Sequence, residues 1–401
     1  MVEVYSSALD KSINVGRIIG KIKGKRKGPT MVFFAGVHGN ETAGVFALDK
    51  VFKYLNPDDV SGSLYAIAGN ISALGVNERY VHEDLNRLWK EDYIRDIKNK
   101  TVLKTDEAEL LELFDIIDEL LKSESGPFYF IDFHTTSSKT IPFITINDAL
   151  INRKFSQQFP VPVVLGIEEY LDGPLLSYIN ELGYVSLGFE SGQHQEKDAI
   201  INCEAFIYLA LIFAKAISSK SVIGLPVYFK QLKDQSHQIE DTFEVTYLHK
   251  IASSDDFNMV PGFESFQKIS KNTVLAHDVN GEIRSKHQAR IFMPLYQKMG
   301  KEGFFIIQPI KPFFLRLSEL LRRIKFDGLL VLLPGVSWYS HHKNVLRVNL
   351  KIAKYFAKSF FHLLGYRSQF IEQNYLLLYN RERRSKKRMY NKELWYKKAT
   401  N

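Results

Sequence analysis

A chain of 401 residues, 45% of them apolar, can bury a sizeable core and is too long for one average domain, so two or three domains are expected. Its single cysteine, Cys203, excludes an intrachain disulfide and a cysteine-rich metal site, and no run of about 18 uncharged apolar residues is present to cross a membrane. The net charge of +8 is uneven: from Lys311 onward 20 Lys and Arg stand against 5 Asp and Glu, a net +15 that leaves an acidic body of −7 before it.

The opening MVEVYSSALDKSINVGRIIG lacks a basic flank followed by an apolar core, so no export is expected, and with one cysteine the cytoplasm fits. Up to about residue 220, short apolar runs alternate with helix-length amphipathic stretches, the pattern of helices packed around a parallel or mixed sheet. The predicted strands are MVFFAGV, SLYAIAG, FYFIDFHT, PFITIND, VPVVLGI and YVSLGFE. The clearest helix is Asp106 to Lys122, with Leu110, Leu113, Phe114, Ile117 and Leu121 at helical spacing and Thr105 as its cap. Cys203, in a helix-like stretch, reads as a buried packing residue.

Between 221 and 310 short alternating runs such as LPVYFKQL, FEVTYLHKI, NTVLAHDV, RIFMPLYQ and GFFIIQPI predict a small β-rich second domain. From 311 to 401 a basic, helical C-terminal extension is expected. It holds the apolar run LLVLL at 329 to 333 and a helix over Asn344 to Leu364 with Arg347, Lys351, Lys354 and Lys358 on one stripe. The terminal RERRSKKRMYNKELWYKKATN has little to bury and reads as surface helix or disordered chain.

The chemistry begins after the first strong strand, where AGVHGNETAG places His38 and Glu41 three apart on the turn into a helix. Such a pair can meet on one metal ion, and hydrolytic zinc sites commonly use two His and one carboxylate with a position left open. His134, at the C-terminal end of the strand in IDFHTTSS, is the candidate third ligand, because that edge of an α/β sheet usually carries the site. In NERYVHEDLNRLW, Arg79, Asn86 and Arg87 can bind a carboxylate, while Leu85, Leu88 and Trp89 mark a packed segment rather than a solvated loop. Glu190, in YVSLGFESG, is placed to take a proton from a metal-activated water. His82 and His194 read as surface or supporting groups, and Asp84 as a carboxylate that orients Arg87 or a ligand histidine.

Together these elements resemble the succinylglutamate desuccinylase and aspartoacylase family, itself related to the zinc carboxypeptidases. The match is carried by His38-Gly39-Asn40-Glu41, Asp84-Leu85-Asn86-Arg87, Asp132-Phe133-His134 and Glu190-Ser191-Gly192, and spans about residues 1 to 310. The resemblance implies a zinc-carboxypeptidase-like mixed sheet flanked by helices over 1–220, a β-rich domain over 221–310, and one Zn2+ per chain. It makes His38, Glu41 and His134 the ligands, Glu190 the general base, Arg79 the polariser of the scissile carbonyl, and Asn86 with Arg87 the clamp for a substrate carboxylate.

The implied activity is hydrolysis of a non-peptide carbon–nitrogen bond in a small, carboxylate-bearing amide such as an N-acyl amino acid. Where aspartoacylase carries an arginine for the second carboxylate of aspartate, the corresponding residue is Tyr178, which argues against N-acetylaspartate. The family's second-domain tyrosine has no convincing match, although Tyr296 lies near. A carboxypeptidase-like exopeptidase is the alternative within enzymes. A binding protein acting through its basic tail on lipid or nucleic acid is the alternative outside them. No specific nucleic-acid partner is expected, and a homo-oligomer stays open.

Overall fold

The structure, a computed structural model, describes residues 1–222, 224–339, 343–353, 358–372 and 374–397. Its frame is one sheet of eleven strands: β1 (Ile18–Lys23), β2 (Arg26–Ala35), β3 (Ser61–Ala68), β4 (Phe128–Thr136), β5 (Phe143–Ile146), β6 (Val163–Leu165), β7 (Val185–Gln193), β8 (Thr242–Lys250), β9 (Lys268–Ile269), β10 (Ala289–Phe292) and β11 (Glu302–Pro309). Their spatial order is β9-β10-β11-β8-β6-β5-β7-β4-β2-β3-β1. All six strands predicted before residue 220 are present as β2 to β7. Strands β3, β2, β4 and β7 run parallel to one another, so their C-terminal ends emerge on the same edge, while β1 and β5 flank them antiparallel.

These strands are continuous apolar runs because both faces are covered. Alternate residues of β2 separate accordingly: Met31, Phe33 and Ala35 join one core with α1 (Ala43–Tyr54) and the long helix at 197–213, while Val32 and Phe34 join another with α2 (Thr105–Ser123). Gly44 lets α1 lie directly on the sheet, since a Cβ there would stand 2.5 Å from the Cβ of Phe133. In α2 the cap is Lys104 rather than Thr105, and the Glu107 carboxylate reaches back to the Lys104 N–H at 2.9 Å. Cys203 is fully buried.

The stretch 221–310 supplies β8 to β11, which extend the same sheet, and a separate three-stranded sheet of Asn258–Met259, Val274–Asp278 and Gly281–Arg284. Its first segment corrects the reading as a β run: LPVYFKQL lies in the helix Leu225–Gln235. Pro226 sits in the first turn, where its missing N–H costs nothing, and Leu225, Tyr228 and Leu232 turn one face to the core.

The C-terminal segment contains α4 (Pro312–Arg323; α3 is the helix Lys197–Phe213) and a four-stranded antiparallel sheet. The strands are β12 (Val336–Trp338), β13 (Val345–Asn349), β14 (Tyr366–Glu372) and β15 (Tyr375–Asn380), in the order β12-β13-β15-β14. The single helix expected over 344–364 is therefore a strand followed by two short helices. Val345, Leu346 and Val348 are buried in the sheet, and Arg347 stacks over Tyr375, so period 2 prevails over the apparent helical stripe. Lys354 of that stripe lies outside the described residues.

The terminal basic run also has more to bury than its composition suggests. Tyr390 and Trp395 enter the core beneath β4, and the Tyr390 hydroxyl donates to the Phe128 carbonyl (2.6 Å) and accepts from the Val185 N–H (3.0 Å).

Candidate metal centre and active-site cleft

The turn after β2 and the C-terminal ends of β4 and β7 bring the site together. Backbone pairing sets Ala35 beside Phe133 and His134 beside Glu190. Gly39 permits the turn to press against the next segment, because a Cβ there would stand 2.1 Å from the Ala73 carbonyl carbon.

Glu41 is the hub. One carboxylate oxygen meets His38 Nδ1 at 2.8 Å, and the other meets His134 Nδ1 at 2.9 Å and the Thr135 N–H at 3.0 Å. Each imidazole has a second carboxylate behind it, Asp84 on His38 Nε2 (3.0 Å) and Asp132 on His134 Nε2 (2.7 Å). His38, Glu41 and His134 are buried, and one ligand atom from each lies within 4.8 Å of the others. Two imidazole nitrogens and a carboxylate, with carboxylates orienting the imidazoles, form a donor set suited to zinc.

Electrostatics follow from burial and proximity. Burial raises the Glu41 carboxyl, but His38 and His134 outweigh it and hold it well below the usual range. Burial lowers His134, yet Asp132 and Glu41 prevail and keep it well above the usual value. Asp84 is likewise held low against burial by His38 and Arg79. Glu190 is the opposite case: burial pushes its carboxyl up to about 8, and the nearby acids Glu41 and Asp132 add to that against His134 and Arg79. Its Oε2 is buried with no hydrogen-bond partner among the described residues.

Arg79 donates to Asp84 (3.0 and 3.2 Å) and stands 3.6 Å from Glu41. The Asp84 carboxylate thus holds His38 and Arg79, and Arg87 is tied to Asp84 through its backbone N–H, which donates to the Asp84 carbonyl (2.8 Å). The Arg87 guanidinium pairs with Glu302 at the start of β11 (3.1 Å), and the Asn86 side-chain oxygen accepts from the Leu175 N–H (2.9 Å). All seven residues singled out from sequence (His38, Glu41, Arg79, Asn86, Arg87, His134 and Glu190) line one cleft of about 120 Å³. His82 is at the surface, whereas His194 lines the cleft and hydrogen-bonds Thr135 (2.7 Å). Tyr178 packs on Trp89 in the core and does not line the cleft.

Sequence reasoning missed Gln297 and Glu302. Gln297 Oε1 accepts from Asn40 (3.1 Å) and lies 3.3 Å from His194, tying the loop before β11 to the turn that carries His38 and Glu41. Its neighbour Tyr296 turns away, its hydroxyl donating to the Val260 carbonyl. Neither residue sits in a recognisable motif, and no local periodicity marks them. Asn40, inside the His-Gly-Asn-Glu element, was the one available signal.

The site is thus a buried His-Glu-His cluster at the C-terminal edge of the parallel strands of a mixed α/β sheet. Residues 27–199 match the family model described as the succinylglutamate desuccinylase/aspartoacylase catalytic domain. A probable aspartoacylase of Prochlorococcus marinus (strain NATL2A) is 24% identical over 287 residues, covering 66% of this chain and 86% of that protein. A succinylglutamate desuccinylase of Serratia proteamaculans (strain 568) is 34% identical over 107 residues, 26% of this chain and 31% of that one. The crystal structure of a succinylglutamate desuccinylase/aspartoacylase from Rhodobacter sphaeroides shares the fold, with a TM-score of 0.55 at 15% identity, over 77% of this chain and 94% of that one.

Proposed function

We propose that this chain is a zinc-dependent amidohydrolase that removes the acyl group from a small acylated amino acid, with His38, Glu41 and His134 as metal ligands. The observation that carries the reading is the placement of the unpartnered Glu190 carboxylate beside the His-Glu-His cluster, in a cleft of about 120 Å³.

Zinc held there supplies a Lewis acid that makes water reactive at neutral pH. Glu190 takes a proton from the attacking water as the new carbon–oxygen bond forms, then delivers it to the amine nitrogen as the carbon–nitrogen bond breaks. The burial that raises its carboxyl makes it a ready donor in the second step. Arg79, fixed by Asp84, donates to the carbonyl oxygen as charge develops. Arg87 and Asn86 receive the substrate carboxylate, which must compete with Glu302 for the guanidinium.

Metal analysis alongside amine release from a panel of N-acyl amino acids tests this. Glu190→Gln is expected to keep one zinc per chain and lose about 100-fold to 10,000-fold in turnover, while His134→Ala loses metal and turnover together. Equal turnover in wild type and Glu190→Gln removes Glu190 from the mechanism.

A further inference from the structure

Helix α4 is built inside out. The face it turns to the body of the protein carries Leu315, Ser318, Glu319 and Arg322, all buried, and three of these four are polar. The opposite stripe, at positions 313, 317, 320 and 324, is apolar, and Phe313, Leu320 and Ile324 on it are exposed at 67%, 56% and 60%. The turn that follows adds Leu329, Leu332 and Leu333, with Leu332 at 78%. These last belong to the LLVLL run, too short to span a bilayer and left without a role by the catalytic site.

The charges around this surface have one sign. Between 311 and 339 the exposed charged residues are Lys311, Arg316, Arg323 and Lys325, whereas the two carboxylates, Glu319 and Asp327, are buried; Glu319 pairs with Lys154 and with Arg323, and Asp327 with Arg383. Exposed Phe, Leu and Ile rimmed by Arg and Lys are the composition of an interfacial helix, whose apolar face enters the headgroup region while its cations meet anionic lipid. A second copy of the chain fits less well. A two-fold contact would set Arg316, Arg323 and Lys325 against their own kind.

We propose that α4 and the leucine-rich turn after it dock this protein onto an anionic membrane surface, without crossing it. Among the described residues no helix is long and apolar enough to span a bilayer, which agrees with a surface mode.

Flotation of the full chain with vesicles of phosphatidylcholine, alone or mixed with phosphatidylglycerol, is the test. Wild type is expected to float with the anionic vesicles and to be released by high salt. The double variant Leu320→Glu/Leu332→Glu, altered only at exposed positions, should bind on the order of tenfold more weakly or worse, with metal content and deacylase turnover unchanged as evidence of an intact fold. Three outcomes overturn the proposal: no flotation of wild type, equal flotation of the variant, or a wild-type dimer in sedimentation that the variant abolishes without vesicle binding. The last would assign the surface to a second copy.

Discussion

Two regions of this molecule bury charge, and they do so differently. At the cleft, imidazoles and carboxylates crowd together with acids in excess. Buried Glu190 and Asp132 each leave one carboxylate oxygen without a hydrogen bond among the described residues. At the seam between the sheet and the C-terminal segment, Arg322 is wholly buried and answered on all sides. It meets the Asp148 carboxylate at 2.8 Å, the backbone carbonyls of Asp148, His362 and Leu363 at 2.8 to 3.1 Å, and Glu382 at 3.9 Å. Arg153 shares Asp148, and Lys154 pairs with Glu319 at 2.9 Å. A cluster that balances itself holds two parts of a chain together. One left with excess negative charge at a donor set of nitrogen and oxygen is organised for a cation.

The sharpest way to break this contrast is at the seam. Arg322→Ala leaves Asp148 and Glu382 short of a partner and is expected to destabilise the protein by about 3–5 kcal/mol. Chemical denaturation should show that loss while the folded fraction keeps its turnover. If turnover falls with zinc retained, the seam also shapes the cleft. Next in size, Asp132→Asn withdraws the charge behind His134 and should weaken zinc affinity about 10-fold to 100-fold by competitive chelation, with little change in melting temperature of the metal-free protein. The smallest effect is expected from Tyr390→Phe, which removes the hydroxyl bridging Phe128 and Val185 and should cost about 1 kcal/mol in denaturant midpoint without touching metal binding.

The strands from β2 to β7 were legible because a sheet covered on both faces demands continuous apolar runs, and Gly and Pro punctuate them. The seven candidate residues that meet in one cleft were legible as a group because their motifs fall at strand ends and the turns after them. What escaped was set by tertiary partners. The helix 225–235 presents strand-forming Val, Tyr and Phe, and only its contact with α3 shows which face is buried. The 345–349 strand needs Tyr375–Asn380 beside it, more than 25 residues away. Gln297 and Glu302 reach the cleft from loop and strand ends distant in sequence, where no spacing rule applies. The basic terminus concealed Tyr390 and Trp395, since composition averages over exactly the two residues that pack.

That last pair has a consequence for biosynthesis. The apolar face of β4, formed by residue 136, receives Tyr390 and Trp395 only when some 250 further residues have been made. At about 5–20 residues per second the whole chain takes roughly 20–80 s to synthesise. During the later part of that time the emerging sheet lacks both its final covering and the Gln297 and Glu302 side of its cleft. Long-range pairing of this kind folds slowly, so β4 gains its last covering late, once residues 390 and 395 are available to pack against it.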